Sequence, residues 1–200
     1  MEKMHILPQK IYKFKCDSHL TEKTLQIISK LNYEPIQHNY GTNGHESLKL
    51  NTELKETYIW FQDCIEQVRK DLSIVDNISI TQSWATRSYE SEWHHGHYHP
   101  YSIMSGIFYL TDSDAETWFS MSSIWSQPTI FSDFTSKNLD ILHKNKTERN
   151  TLLIFPSSLY HSVNVHQSNE PRYAISFNTF FDKSMGNFER YYGVSLEIKE

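Results

Sequence analysis

After Asn77 the apolar period changes from that of helices to that of strands, and this switch constrains the fold more than any other feature of the chain. Ahead of it, Leu20, Thr24, Ile27, Ile28 and Leu31 fall on one helical face, with Asp17 or Ser18 as the N-cap. A second helix is predicted over residues 52–72, where Leu54, Tyr58, Phe61, Ile65, Val68 and Leu72 recur at helical spacing. Beyond the switch, Ile78–Trp84, Ser102–Leu110, Thr151–Phe155 and Arg172–Phe181 read as strands. An opening strand is predicted within residues 6–16, and Asn39–Ser47 reads as a loop from its Gly and Asn content. Asp112–Asn150 is long and polar with scattered aromatics; it reads as an insertion with a short piece of structure at Leu139–Leu142. Helices followed by strands indicate a segregated α+β domain, or a barrel or jelly roll with a helical N-terminal layer.

A chain of 200 residues suits one domain. Its 19 Lys+Arg against 24 Asp+Glu contain no basic run, so the footprint of a nucleic-acid binder is missing. The apolar stretches are far shorter than a membrane span, and residues 1–17 lack the apolar run of a signal peptide. A soluble, cytoplasmic protein is expected. Cys16 and Cys64 lie far apart in sequence and outside any paired spacing, which argues against a disulfide framework or a thiolate zinc site.

The chemistry concentrates in Glu92-Trp-His-His-Gly-His-Tyr-His-Pro100. His95, His97 and His99 alternate, so in an extended chain they share a face. Each step of two residues advances roughly 6.6 Å. One metal ion, bound at about 2.1 Å, is therefore within reach of two adjacent members but not of all three. The pair is His95/His97 or His97/His99. Taken alone, an H-x-H is more often an exposed loop. Here a matching element follows: an apolar strand ending at Phe155, a Pro-Ser turn, then His161. Eleven residues later Arg172 opens a strand whose alternation puts Arg172, Ala174, Ser176 and Asn178 on one face. Tyr173, Ile175, Phe177, Thr179 and Phe181 fall on the other. An arginine heading a polar face suits an anionic pocket, because its planar fork meets a carboxylate with two parallel hydrogen bonds.

The segment His97-Tyr-His-Pro-Tyr-Ser-Ile-Met-Ser-Gly-Ile-Phe-Tyr-Leu110 resembles the H-x-H-P-x-S-x-x-S-G-V-Y-Y-L signature of a family of 2-oxoglutarate/iron(II) oxygenases of bacteria and bacteriophages. Arg149–Val163 is similar to that family's second block, Arg172–Asn178 to its third, and Ser83-Trp84-Ala85 also fits. The resemblance covers roughly residues 78–181. It implies a mainly β chain with N-terminal helices. The expected plan is one domain over 1–200: a strand and helical layer to about residue 76, then a double-stranded β-helix (jelly roll, cupin-like) core over about 77–185, with an insertion at about 112–150.

It further implies that His97 and His161 are iron(II) ligands, the third being either His99 or a carboxylate from elsewhere, and that Arg172 binds the distal carboxylate of 2-oxoglutarate with Ser176 and Tyr109 assisting. The implied reaction is hydroxylation by dioxygen coupled to decarboxylation of 2-oxoglutarate to succinate, in the cytoplasm of a bacterial or phage-infected cell. The substrate is an unidentified small molecule or protein, with prolyl hydroxylation an analogy only. Trp84, Tyr89, Trp93 and Tyr101 are candidates for the substrate wall, and Asp112–Asn150 for the specificity loop. Membrane partners are not expected, and the oligomeric state, a homodimer included, is left open.

Two departures stand out. The larger superfamily uses two histidines and a carboxylate, whereas His99 occupies the carboxylate's place; Glu90, Glu92, Asp112 and Asp114 are the nearby acids that could replace it. Ala174 stands where many relatives have serine. The competing readings are a three-histidine cupin-type dioxygenase that does not use 2-oxoglutarate, and a non-enzymatic jelly-roll module that binds metal. A serine hydrolase lacks its G-x-S-x-G elbow.

Overall fold

The computed structural model describes residues 9–42, 47–120, 142–182, 184–185 and 194–195. Helix α1 (Ser18–Ile28) starts where Asp17 accepts hydrogen bonds from the backbone N–H groups of His19 and Leu20, one of the two N-caps the sequence offered. Helix α2 (Lys55–Asp71) follows a 3₁₀ turn at Thr52–Leu54 and buries Tyr58, Phe61, Ile65 and Val68, which recur at its period. Its last turn carries Arg69 and Lys70, which suit the negative end of the helix dipole.

Around these helices runs a seven-stranded antiparallel sheet of β1 (Tyr12–Lys15), β2 (Glu34–Ile36), β3 (Asn39–Gly41), β4 (Ile78–Ser88), β6 (Met104–Tyr109), β9 (Thr151–Pro156) and β11 (Arg172–Phe181). Its spatial order is β1-β9-β6-β11-β4-β3-β2. A second sheet has the order β5-β10-β7-β8, from β5 (His94–His97), β7 (Ser113–Ser120), β8 (Leu142–Thr147) and β10 (Tyr160–Val163). The short strands β12 (Ser184–Met185) and β13 (Val194–Ser195) pair with each other. The result is a mainly β jelly roll with a helical N-terminal layer.

Alternation along the central strands explains how one sheet serves two cores. Phe108, Leu110, Leu152, Ile154, Ile175 and Phe177 pack with Phe61, Ile65 and Val68 of α2. Phe61 meets Phe108 at 5.4 Å and Phe177 at 5.1 Å between ring centroids. The intervening positions Ile107, Tyr109, Leu153, Phe155 and Ala174 face Phe119 and Leu159, which come from the second sheet and its connection. Because β6 and β9 are buried on both faces, they read in sequence as apolar runs rather than clean alternation. Both cysteines are free and buried on the helix side.

Three expectations need correction. Asn39–Gly41, read as loop, is strand β3, which pairs with β4 at Tyr40↔Arg87 and Gly41↔Thr86. A three-residue strand is too short to establish a period. The segment read as an insertion contains β7 and β8, paired from Ser113↔Thr147 to Ser120↔Leu142, so its ends belong to the second sheet. Their polar residues hid the pattern: in β7 only every second residue from Ala115 to Phe119 is buried, and His143–Lys146 of β8 are polar throughout. Of Leu139–Leu142 only Leu142 is described, as the start of β8; residues 139–141 and the aromatics Trp125, Phe131 and Phe134 lie outside the described residues. The opening strand is shorter than predicted, and residues 1–8 also lie outside the described residues.

Candidate metal centre

β10 brings His161 directly opposite His97 of β5. The pairing then slips: His94 to His97 spans three residues where Val163 to His161 spans two, so β5 carries a one-residue bulge. This bulge overrides the alternation expected for His95, His97 and His99. His94, His97, His99 and His161 line one cavity, and His95 is not on its wall. The bulge was not legible in the sequence, since nothing there marks the extra residue except Gly96. A Cβ at Gly96 would meet the Tyr160 hydroxyl at 2.2 Å, so the glycine leaves room for that ring.

One candidate ligand atom each from His97, His99 and His161 lies within 4.8 Å of the others. Their ring centroids are 4.3 Å (His97–His161), 4.8 Å (His97–His99) and 5.2 Å (His99–His161) apart. His97 Nδ1 is held 2.9 Å from the His95 carbonyl and His161 Nδ1 2.8 Å from the Leu159 carbonyl. A carbonyl can only accept, so in each ring Nδ1 carries the proton and Nε2 keeps its lone pair, the tautomer a metal requires. Burial pushes His161 down to about 3 and His99 to about 4, with neighbouring imidazoles adding to the effect; burial also lowers His97. All three are therefore neutral donors at neutral pH.

His99 is held differently. Its backbone N–H donates to the Ser157 carbonyl at 2.9 Å. Beneath it Ser157 Oγ contacts Ser102 Oγ at 2.7 Å and Ser105 Oγ at 2.8 Å, and Ser105 donates to Asn178 Oδ1 at 2.9 Å. Asn178 in turn reaches His99 Nδ1 at 3.5 Å. The two serines of the His97–Leu110 segment thus tie β6 to the turn before His161. The Gly106 that follows is required because a Cβ there would lie 2.1 Å from Phe177 Cζ.

Among the described residues no Asp or Glu lines the cavity. Glu92 accepts from the Tyr89 N–H, Asp112 from the Arg149 N–H and Asp114 from His166 and the Gln167 N–H, while Glu90 is exposed. None of the four candidate carboxylates stands with the imidazoles.

Arg172 supplies the cavity's positive charge. It is 3% exposed, its Nε has no hydrogen-bond partner, and no carboxylate pairs with it among the described residues. Its guanidinium lies 5.5 Å from the centre of the Tyr109 ring. Burial lowers its pKa from the ordinary value, yet a guanidinium stays charged. A buried cation without a counter-ion is costly in a folded chain unless a ligand completes it. Ser176 and Ala174 continue the same wall, as the alternation of β11 predicted. Tyr109 is not on the wall; its hydroxyl is within 2.7 Å of Thr117 Oγ1, and its ring backs Arg172. Trp84 lines the cavity, whereas Tyr89 and Trp93 are partly exposed and Tyr101 is 94% exposed.

Sequence reasoning missed His94, Asn39 and Thr86, which also line the cavity. Asn39 arrives on β3, and Trp93, which stacks at 4.1 Å on His38 just ahead of that strand, holds it beside His94. A histidine adjacent to an H-x-H was the only available signal.

Residues 82–178 match the family model described as "Putative 2OG-Fe(II) oxygenase", a span from the middle of β4 to near the end of β11. The match supports that family for this chain. Among curated proteins no sequence matches. Among solved structures the chain is similar to HygX from Streptomyces hygroscopicus with nickel and 2-oxoglutarate bound, with a TM-score of 0.65 at 9% identity over 86% of this chain and 82% of that one. It is also similar to the non-heme alpha ketoglutarate dependent epimerase SnoN from nogalamycin biosynthesis, with a TM-score of 0.67 at 9% identity over 88% and 79%. A third is the viral collagen prolyl hydroxylase from Paramecium Bursaria Chlorella virus-1 in its 2-oxoglutarate complex, with a TM-score of 0.57 at 13% identity over 84% and 94%. At such identities these likenesses establish the fold.

Proposed function

We propose that this single-domain chain is an iron(II)- and 2-oxoglutarate-dependent oxygenase, with His97, His99 and His161 as the metal ligands and Arg172 as the anchor of the co-substrate's distal carboxylate. The observation that carries this reading is Arg172: a buried guanidinium without a counter-ion among the described residues, on the same cavity wall as three neutral imidazoles. The family match and the 2-oxoglutarate and metal named for the neighbouring structures support it. Iron(II) bound there would supply the coupling of 2-oxoglutarate decarboxylation, giving succinate and carbon dioxide, to oxygenation of a substrate by dioxygen.

The chain's own residues do the rest. The His95 and Leu159 carbonyls fix two imidazoles in the metal-binding tautomer before any ion arrives. Arg172 orients the co-substrate by a charge-assisted fork, with Ser176 beside it on the wall and the Tyr109 ring behind it. Ile107, Phe155 and Val163 give the cavity an apolar part of its wall, which excludes water and strengthens both contacts. A third neutral ligand leaves the cation's charge less compensated than a carboxylate would, which raises its attraction for an anionic co-substrate. The prime substrate is a small molecule or a protein side chain entering beside Trp84. HygX also has a structure with hygromycin B bound, and the viral neighbour is a collagen prolyl hydroxylase, so these neighbours span both classes.

The test is release of carbon dioxide from carboxyl-labelled 2-oxoglutarate under air. Release that requires iron(II) and is lost in His161→Ala is expected. Tight iron binding without consumption of 2-oxoglutarate would instead favour the three-histidine dioxygenase.

A further inference from the structure

His94 is a fourth imidazole on the cavity wall, and neither the three metal ligands nor the co-substrate anchor uses it. The bulge in β5 brings it together with His95 and His97, so that one donor atom from each lies within 4.8 Å of the others. The rings are 4.8 Å (His94–His95), 4.7 Å (His94–His97) and 5.3 Å (His95–His97) apart. We propose that His94, His95 and His97 form a second, outer seat for a divalent transition-metal ion, overlapping the inner seat through His97.

Two further observations support the seat. His95 Nδ1 is buried with no hydrogen-bond partner among the described residues, an unexplained lone pair or N–H beside the group. His94 Nδ1 lies 3.1 Å from the side-chain amide of Asn39, whose Oδ1 is buried and unpartnered. A half-turn of that amide lets Oδ1 accept the His94 Nδ1 proton. Nε2 is then free to bind a metal, the same backing arrangement that the carbonyls give His97 and His161.

The donor set selects the ion. Three imidazoles without a carboxylate suit zinc, cobalt or nickel rather than calcium or magnesium. Because His97 Nδ1 is committed to the His95 carbonyl, His97 offers one lone pair and can serve one ion at a time. The two seats are therefore mutually exclusive. An ion in the outer seat withdraws His97 from the inner triad, which makes the outer seat inhibitory for the oxygenase. This inference rests on the inner-seat reading only for that last consequence.

The experiment follows cobalt(II) by its visible absorption in the His99→Ala/His161→Ala protein, which retains one imidazole of the inner triad. One equivalent is expected to bind, with at least a tenfold loss of affinity when His94→Ala is added. Wild type is expected to take up one equivalent in total. A folded double variant, checked by circular dichroism, that binds no cobalt or is indifferent to His94→Ala overturns the proposal, as does wild type binding two equivalents. If removing the buried His161 prevents folding, His99→Ala alone with and without His94→Ala gives the same comparison. The inner seat is read separately in His94→Ala, where bound cobalt should change its spectrum on adding 2-oxoglutarate. Loss of that response alone would count against the oxygenase reading and not against the outer seat.

Discussion

Replacing Arg172 with methionine should stabilise the ligand-free protein while nearly abolishing its response to 2-oxoglutarate. In the apo fold the guanidinium is 3% exposed, has an unpartnered Nε, and is in contact with no acid among the described residues. An unsatisfied buried polar group costs about 1–3 kcal/mol, and a charged one more. Against this stands the contact with the Tyr109 ring at 5.5 Å, which methionine keeps in part as a sulfur–aromatic contact. The net expectation is a gain of about 1–2 kcal/mol, or roughly 2–8 °C in Tm for a chain of this size. With ligand the sign reverses. Two charge-assisted hydrogen bonds lost at about 1.5 kcal/mol each lower 2-oxoglutarate affinity about 100-fold. At a concentration 100 times the wild-type Kd, ligand stabilises wild type by about 2.7 kcal/mol but the variant by only about 0.4 kcal/mol. The assay is anaerobic urea unfolding with manganese(II), with and without 2-oxoglutarate. An apo variant less stable than wild type, with the 2-oxoglutarate response intact, would refute the reasoning, because Arg172 would then be satisfied by the protein itself.

Apo-protein stability should fall on acidification. Burial holds His94 and His161 at about 3 and His99 at about 4, below an unfolded value near 6.5, so the unfolded chain binds more protons beneath that value. Stability is complete above about pH 6.5 and declines towards pH 4, by at most about 1.4 kcal/mol per unit for each such histidine. Urea midpoints at pH 7, 6 and 5 check it, and a flat profile would contradict the buried neutral imidazoles. Gly106→Ala should cost about 1–3 kcal/mol by overpacking, because its Cβ would meet the buried Phe177 ring at 2.1 Å. Gly96→Ala meets only the far end of the partly exposed Tyr160 and should cost much less; equal midpoints for the two variants would contradict this contrast.

The parts of the fold that were legible in the sequence are those where one face decides the pattern. Arg172–Phe181 is a strand over the predicted span, with Arg172, Ala174 and Ser176 on the cavity wall and Ile175 and Phe177 in the helix-side core, because its two faces differ in chemistry. His97, His99 and His161 converge, which takes up one of the two pairs that the spacing left open. What stayed hidden depends on pairing between distant segments. Asn39 enters the cavity because a three-residue strand pairs with β4, and His94 displaces His95 because β5 carries one residue more than β10 can match. β7 and β8 went unseen because outward-facing polar residues look like loop until their partners are known.

The measurement that tests the central claim most directly is anaerobic titration of iron(II) and 2-oxoglutarate into the apo-protein, followed by the weak visible absorption of the iron–2-oxoglutarate chelate. The account predicts a band in wild type, none in His161→Ala, and about 100-fold more 2-oxoglutarate needed in Arg172→Met. Iron bound tightly by wild type with no such band at any 2-oxoglutarate concentration would contradict it.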